Sequence, residues 1–444
     1  MESRSRFSGG QFTDYGKHYR IINAQIVDVE KGAVSPKSFV EIDEGRIVRI
    51  QEGAALEDGV PAYDAAGQFL SPGLINLHTH LFGNGVPKSA VASKGKSQER
   101  LLRFASSRLG LFYLRKIAGK CAKTALLSGV TTLRSVGDMR YADIFARDQI
   151  NAGKALGPRL LVSGPALTCP NGHGAGTIAV SCTTKEEFVK KVQENVAHHV
   201  DLIKITLTSG VMDALDADHP GDVRMSQEQV DWVVEEAHKN HLMVASHTEC
   251  ADGMRIALKT GVDTIEHGSF FSPDIEELFK KGNSVLICTI SPALPSVKLP
   301  SGYSHYTPVQ IASCKIVCDG IIQSAIAARK AGVTIGLGTD GACPFAAQSG
   351  MWREVCYFAK YAGASPEEAL RAATLVNASI VHLDKETGSI AINKSADLIL
   401  LKENPYRNLK TLRDPQMVVC RGKMIIHPHP KKNAKMEAML DTLI

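Results

Sequence analysis

The sequence predicts an α/β fold: a (β/α)₈ barrel carrying a small β domain built from both chain ends. Three observations predict it. Through the middle of the chain, short apolar runs alternate with amphipathic stretches, the pattern of βα units and a parallel sheet. Eight such runs can be counted, the number a closed barrel requires. The two ends carry a different text, short β-branched runs broken by Gly, Asp and Glu, as in small antiparallel hairpins.

Taken in chain order, the opening "MESRSRFSGGQFTDYGKHYR" lacks the apolar stretch of a secretory signal. Strand-like text follows in "HYRIINAQIVDV" and "SFVEIDEGRIVRIQ". The barrel runs are "GLINLHTH", "GVTTLRSVGD", "PRLLVSG", "DLIKITLTSG", "LMVASHTE", "VDTIEHGS", "SVLICTIS" and "VTIGLGTDG". Helical segments such as "SQEQVDWVVEEAHKN" and "AIAARKAG" lie between them. "ADLILLKEN" and "QMVVCRGKMII" then return to the hairpin text and are expected to pair with the first strands. The division predicted is residues 1–70 and 385–444 for the β domain and 71–384 for the barrel. One connection is long: "LFGNGVPKSAVASKGKSQER" after His80 is either a lid or disordered. The tail "HPHPKKNAKM" is read as a structural or disordered terminus, despite its two histidines.

The chain of 444 residues is too long for one ordinary core, and its 44% apolar and 22% charged content is that of a globular protein. A net charge of +5 over this length is too diffuse for a nucleic-acid partner. No apolar run approaches the ~18–20 residues that cross a bilayer, so no membrane partner is expected and the location expected is cytoplasmic. Ten scattered cysteines without a CxxC, with Cys314 and Cys318 one helical turn apart, read as reduced, mostly buried apolar residues.

In a barrel, catalytic groups come from the C-terminal ends of the strands. There the sequence places His78 and His80 on strand one, Lys204 within strand four, His247 on strand five, His267 on strand six and Asp340 on strand eight. Each alone has an ordinary reading: a hydrogen-bonded histidine, a snorkelling lysine, a turn aspartate. All of them at one end of one barrel call for a shared cause. Residues i and i+2 of a strand share a face, so His78 and His80 point together and can grip one metal ion. Imidazole with carboxylate suits zinc and its neighbours. Four histidines and an aspartate suffice for one ion and allow two if something bridges them. Lys204 is the odd member, because a protonated ammonium has no lone pair; beside metals it must be deprotonated or modified.

At these residues the chain resembles the amidohydrolase superfamily of metal-dependent hydrolases over nearly its whole length. "PGLINLHTHL" looks like its strand-one signature, "GLGTDG" its strand-eight signature, and "TGSIAINKSADLILLKENPYRNL" its return into the β domain, which the resemblance makes a β-sandwich. "GVTTLRSVGD", "NGHGAG", "DLIKITLTSG" and "GVDTIEHGS" resemble the imidazolonepropionase-like and prolidase-like branch. That branch holds dipeptidases for Xaa-Pro and Xaa-Arg/Lys and ochratoxin-type amidases. The resemblance implies two divalent ions, most often zinc, bridged by a carboxylated Lys204. His78, His80 and Asp340 would bind the first ion and His247 and His267 the second, with Asp340 also the base toward a bridging hydroxide. It also implies a small-molecule substrate and a homo-oligomer. His173 in "NGHGAG" could polarise the scissile carbonyl or meet a substrate carboxylate, and Arg224 could hold that carboxylate bidentately. The chain departs from the branch in "SHTEC", where Glu249 could shape the pocket toward an amine or cationic group, and inside "VMDALDADHPGDVRMSQEQ".

The expected function is therefore binuclear, metal-dependent hydrolysis of an amide bond in a small molecule, dipeptide or N-acyl amino acid. A cyclic amide, carbamate or urea hydrolase with the same metal centre is the alternative. A dead scaffold is the third reading, and the presence of all six candidate ligands weighs against it.

Overall fold

The computed structural model describes residues 4–7, 10–13, 15–87, 103–213, 221–300 and 302–444. Residues 88–100 of the long connection after His80, and 214–220 of the segment after strand four, lie outside the described residues.

Eight parallel strands run through the middle of the chain: β1 Leu74–Thr79, β2 Val130–Ser135, β3 Arg159–Val162, β4 Leu202–Thr206, β5 Met243–Thr248, β6 Thr264–His267, β7 Val285–Cys288 and β8 Ile335–Leu337. They fall into two parallel sheets. One has the order β3-β2-β1; in the other β4 to β8 follow in sequence order, extended by the short strands Ala166–Thr168 and Ala179–Ser181. β1, β2 and β4 are buried at every position, as strands covered on both faces must be. The two sheets meet at both margins. Asp340 N–H donates to His78 O (2.8 Å) and His80 N–H to Gly341 O (2.9 Å), which sets the end of β8 alongside β1. Asp201 N–H donates to Val162 O (2.8 Å), which sets the start of β4 alongside β3. Gly338 explains part of the "GLGTDG" text: a Cβ there would lie 2.4 Å from His78 Cβ and push β8 off β1.

Helices cover the strands because their starts are specified locally. Thr184 with Glu187, Ser226 with Gln229 and Thr307 with Gln310 form reciprocal caps ahead of Lys185–Ala197, Gln227–Lys239 and Pro308–Ala331. The last of these corrects the expectation that no apolar run is long enough to span a bilayer. This 24-residue helix is long and apolar enough by length and composition. Lys315, Asp319 and Arg329 interrupt it in the sequence, so it does not read as one run. Half of its most apolar stretch is buried, and Cys314, Val317, Ile321 and Ala325 pack in the main core.

Both chain ends enter one ten-stranded sheet. His18–Asp28, Ala33–Asp43 and Arg46–Glu52 pair antiparallel, and Phe69–Pro72 joins them to the C-terminal Leu398–Leu401 with Leu398 opposite Pro72. Tyr19, Ile21, Val40, Ile42, Leu70, Leu398, Leu400 and Val419 share a core of their own. All ten cysteines are free and eight are buried. The tail after the two histidines ends in a helix, Ala434–Asp441. Its buried Met436 and Leu440 and the bonds from Arg353 to Glu437 (3.1 Å) and Asp441 (2.7 Å) dock it on the helix Met351–Ala362, contacts that a polar-looking tail conceals.

Candidate metal centre

β1 ends in "LHTH", and its alternation turns Asn76, His78 and His80 to one side while Ile75 and Leu77 pack with Ile287 and Ile380 on the other. Each inward histidine is oriented through one nitrogen. His78 Nδ1–H donates to Glu266 Oε2 (2.6 Å), His80 Nδ1–H to Gly137 O (2.6 Å), and His267 Nδ1 bonds the Thr289 hydroxyl (2.7 Å). The carboxylate and the carbonyl only accept, so His78 and His80 carry their proton on Nδ1 and keep Nε2 free, whereas the Thr289 hydroxyl can donate or accept. His247 is the reverse case. Its Nε2–H donates to Ser209 O (3.3 Å), which leaves Nδ1 with the lone pair.

These rings converge. The His78 ring centroid lies 4.6 Å from that of His267 and 5.6 Å from that of His80, and His247 lies 4.7 Å from His267. Asp340, at the end of β8 with φ +51°, brings Oδ1 to 3.4 Å from His78 Nε2 and 3.1 Å from His80 Nε2. His78, His267 and Asp340 form one group whose ligand atoms all lie within 4.8 Å of one another; His247, Glu249 and His267 form a second. Lys204 Nζ is buried among them without a hydrogen-bond partner among the described residues. Burial lowers its pKa to about 8, against the opposing charge of Glu266. Burial would raise the Asp340 carboxyl, but His78 and His80 outweigh it and hold it well below the usual carboxylate range. Burial, then neighbouring imidazoles, push His247 and His267 well below the ordinary histidine value, so both are neutral and able to ligate.

The donor set fits divalent metal. Imidazoles gather at one place, and two buried atoms there, Asp340 Oδ1 and Lys204 Nζ, have no hydrogen-bond partner among the described residues. Asp340 is ionised where a cation would be most favoured.

His173 lies on the rim. Its ring stacks on that of His247 at 4.4 Å and 9°, and Nδ1 bonds Asp213 Oδ2. Burial lowers its pKa, but Asp213 more than offsets that, and the net shift is upward. The stack exists because residue 210 is glycine: a Cβ there would meet the His173 ring at 2.8 Å. Arg224 is not brought to this cluster by any contact among the described residues. Its guanidinium has Asp222 Oδ2 at 4.0 Å, and its backbone bonds Leu207 and Cys169.

Two participants escape a sequence reading. Glu266 in β6 and Arg134 in β2 are fully buried and paired at 2.7 Å, and Arg134 also donates to Leu77 O (2.5 Å). Burial would raise Glu266, but Arg134 and His78 hold it well below its ordinary value. Glu249 stands beside the rings, with Oε2 at 3.9 Å from His247 Nε2.

The sequence pattern of the Amidohydrolase family matches residues 69–425. The ochratoxinase of Aspergillus niger is 28% identical over 323 residues, 66% of this chain and 64% of that protein, so the aligned stretch spans less than two thirds of that relative's length. Among solved structures, a provisionally named prolidase from Bifidobacterium longum is 36% identical, with 96% of this chain and 98% of that one covered and a TM-score of 0.84. A Xaa-Pro dipeptidase with methionine bound in its active site is 26% identical, covering 92% of this chain and all of that one, with a TM-score of 0.81.

Proposed function

The chain belongs to the amidohydrolase family, and from that premise we propose that it is a metal-dependent hydrolase of amide bonds, acting on a dipeptide or N-acyl amino acid. The observation that carries the binuclear form of this reading is the buried Lys204 Nζ, without a partner among the described residues, amid inward-facing histidines. An amine whose pKa burial lowers to about 8 has a substantial neutral fraction near that pH and is able to take up carbon dioxide, and the resulting carbamate offers two oxygens to two ions. His78, His80 and Asp340 are assigned to one ion and His247 and His267 to the other, with zinc the metal that imidazole and carboxylate suit.

Divalent metal, when bound, lowers the pKa of water and polarises a carbonyl. The chain's own residues do the remainder. Glu266, Gly137 and Thr289 lock three imidazoles in their ligating orientation. Asp340 is ionised and takes a proton from the attacking water, then passes it to the leaving nitrogen. His173, held through Nδ1 by Asp213, presents Nε2 to the substrate's carbonyl oxygen or carboxylate.

The finer architecture belongs to the same reading. The contacts at both margins support one closed ring of β1 to β8, a (β/α)₈ barrel over residues 71–384. The shared core of the end strands supports a β-sandwich made of residues 1–70 and 385–444. Free cysteines support a cytoplasmic location. Exposed Leu109, Phe112 and Tyr113 on one helix support a homo-oligomer.

The test is metal analysis with a matched pair of substrates. Protein prepared with zinc and bicarbonate should hold about two ions per chain. Lys204→Ala should lose metal and turnover together; full activity with unchanged metal would overturn the binuclear reading. A substrate whose carboxylate sits beside the scissile amide should exceed its amidated form by about ten- to a hundred-fold in kcat/KM, the worth of a charge-assisted contact. Equal rates, or turnover of neutral cyclic amides or ureas alone, would replace the dipeptide reading.

A further inference from the structure

Gln348 is a buried amide whose oxygen and both N–H groups are all used. It lies on the segment between Asp340 and the helix Met351–Ala362 and is 3% exposed. Nε2 donates one proton to His80 O (2.7 Å) and the other to Gly83 O (3.0 Å), and Oε1 accepts from the Thr79 hydroxyl (3.1 Å). Carbonyl oxygens only accept, so these partners fix which end of the amide is which. One side chain from the segment after β8 thereby holds the last residue of β1, the backbone of its second inward histidine and the turn beyond.

The tie lies where the first ion's ligands meet. His80 Nε2 and Asp340 Oδ1 are 3.1 Å apart, and they come from the two segments that Gln348 joins. Glu266 and Gly137 turn the rings of His78 and His80, but among the described residues neither bonds the segment after β8, so they do not set this separation. That segment is also strained. Asp340, Ala342 and Phe345 have φ of +51°, +87° and +68°, conformations that persist only where the surroundings impose them. Gln348 supplies such a constraint, with the bond from Phe345 N–H to Gly85 O (2.7 Å) beside it. His247 and His267, by contrast, make no hydrogen bond to either segment among the described residues. We propose that Gln348 is a positioning residue for the first ion: it fixes His80 against Asp340, and its loss weakens that ion far more than the one at His247 and His267. The inference rests on the two-ion reading and assigns this side chain's support to one of the two ions.

Chelator-stripped protein is loaded with zinc and bicarbonate, and metal per chain and each dissociation constant are measured by chelator competition. Wild type should hold about two ions per chain. Gln348→Met and, as a second variant in case one fails to fold, Gln348→Leu fill the space without a donor. Each should bind one ion about ten- to a hundred-fold more weakly, the usual cost of losing a support of a ligating histidine, and the other within about three-fold. Which ion is weakened is read in two backgrounds. With His80→Asn, where the first site is already broken, Gln348→Met should change the remaining affinity by less than about three-fold; with His247→Asn its full effect should persist. A general loss of packing would weaken both ions alike; that result, or unchanged affinities in a folded variant, overturns the proposal. A full effect in the His80→Asn background overturns it too. If wild type holds one ion, the two-ion reading fails separately and Gln348→Met still decides the proposal: an ion that it weakens and that His80→Asn abolishes supports it, and any other result overturns it.

Discussion

Arg134→Met removes the only cation paired with Glu266 among the described residues. Both side chains are essentially without solvent, 1% and 0% exposed. The substitution keeps an unbranched, apolar stem in the same space but leaves a carboxylate unneutralised in the core. Breaking one side of a buried pair costs about 3–5 kcal/mol, far more than a surface pair. The loss of the bond to Leu77 O, on β1 between Asn76 and His78, adds to it. The same carboxylate orients His78 through Nδ1, so its displacement should weaken metal binding by about ten- to a hundred-fold, as with other supports of ligating histidines. Urea unfolding of chelator-stripped protein isolates the stability term from ligand linkage. Glu266→Gln in the Arg134→Met background removes the stranded charge, so the double variant should be more stable than Arg134→Met alone. A single variant within about 1 kcal/mol of wild type, or a double variant whose loss equals the sum of the two singles, would refute the argument.

Asp340→Asn keeps a residue tolerant of the positive φ at this position, so the backbone should hold. Turnover should fall by at least about 10²-fold while metal content falls far less; turnover within a few-fold of wild type would hand the proton to another group. Glu354 is fully buried, accepts the N–H groups of Ile290 (2.7 Å) and Ser291 (2.8 Å), and is pushed by burial from 4.5 to about 7. The folded state thus keeps a proton that the unfolded state releases near pH 4.5. The stabilising contribution is full below pH 4.5, falls as pH rises to about 7, and amounts to about 3 kcal/mol. Glu354→Gln should remove this slope from the pH dependence of urea stability, and an unchanged slope would assign it to other groups.

The eight strands were legible because each is an apolar run flanked by turn residues, and the inward residues at their ends were legible because polar letters stand out at the close of such runs. Arg134 and Glu266 were not. Each is one charged letter inside "GVTTLRSVGD" or "GVDTIEHGS", and from a single strand such a residue reads as a side chain reaching the rim. That the two face each other from β2 and β6 follows only from the way the strands curl. The helix Pro308–Ala331 and the docked tail were obscured for a related reason. Burial there depends on which face meets a neighbour, and Glu437 is buried because Arg353 waits for it 84 residues away.

Two sets of buried ionisable groups contrast. Arg134 and Glu266 satisfy one another, and Glu354 is satisfied by Ile290 and Ser291; these hold strands, helices and one imidazole in place. Among the described residues, Lys204 Nζ, Asp340 Oδ1 and Glu249 Oε2 have no hydrogen-bond partner, and all three belong to the end of the strands where the histidines gather. An unsatisfied buried group opposes folding, so three together are tolerable only where something bound completes them. On the reading proposed here, Asp340 and the modified Lys204 are completed by metal, which makes the bound ion part of what holds this end of the strands together.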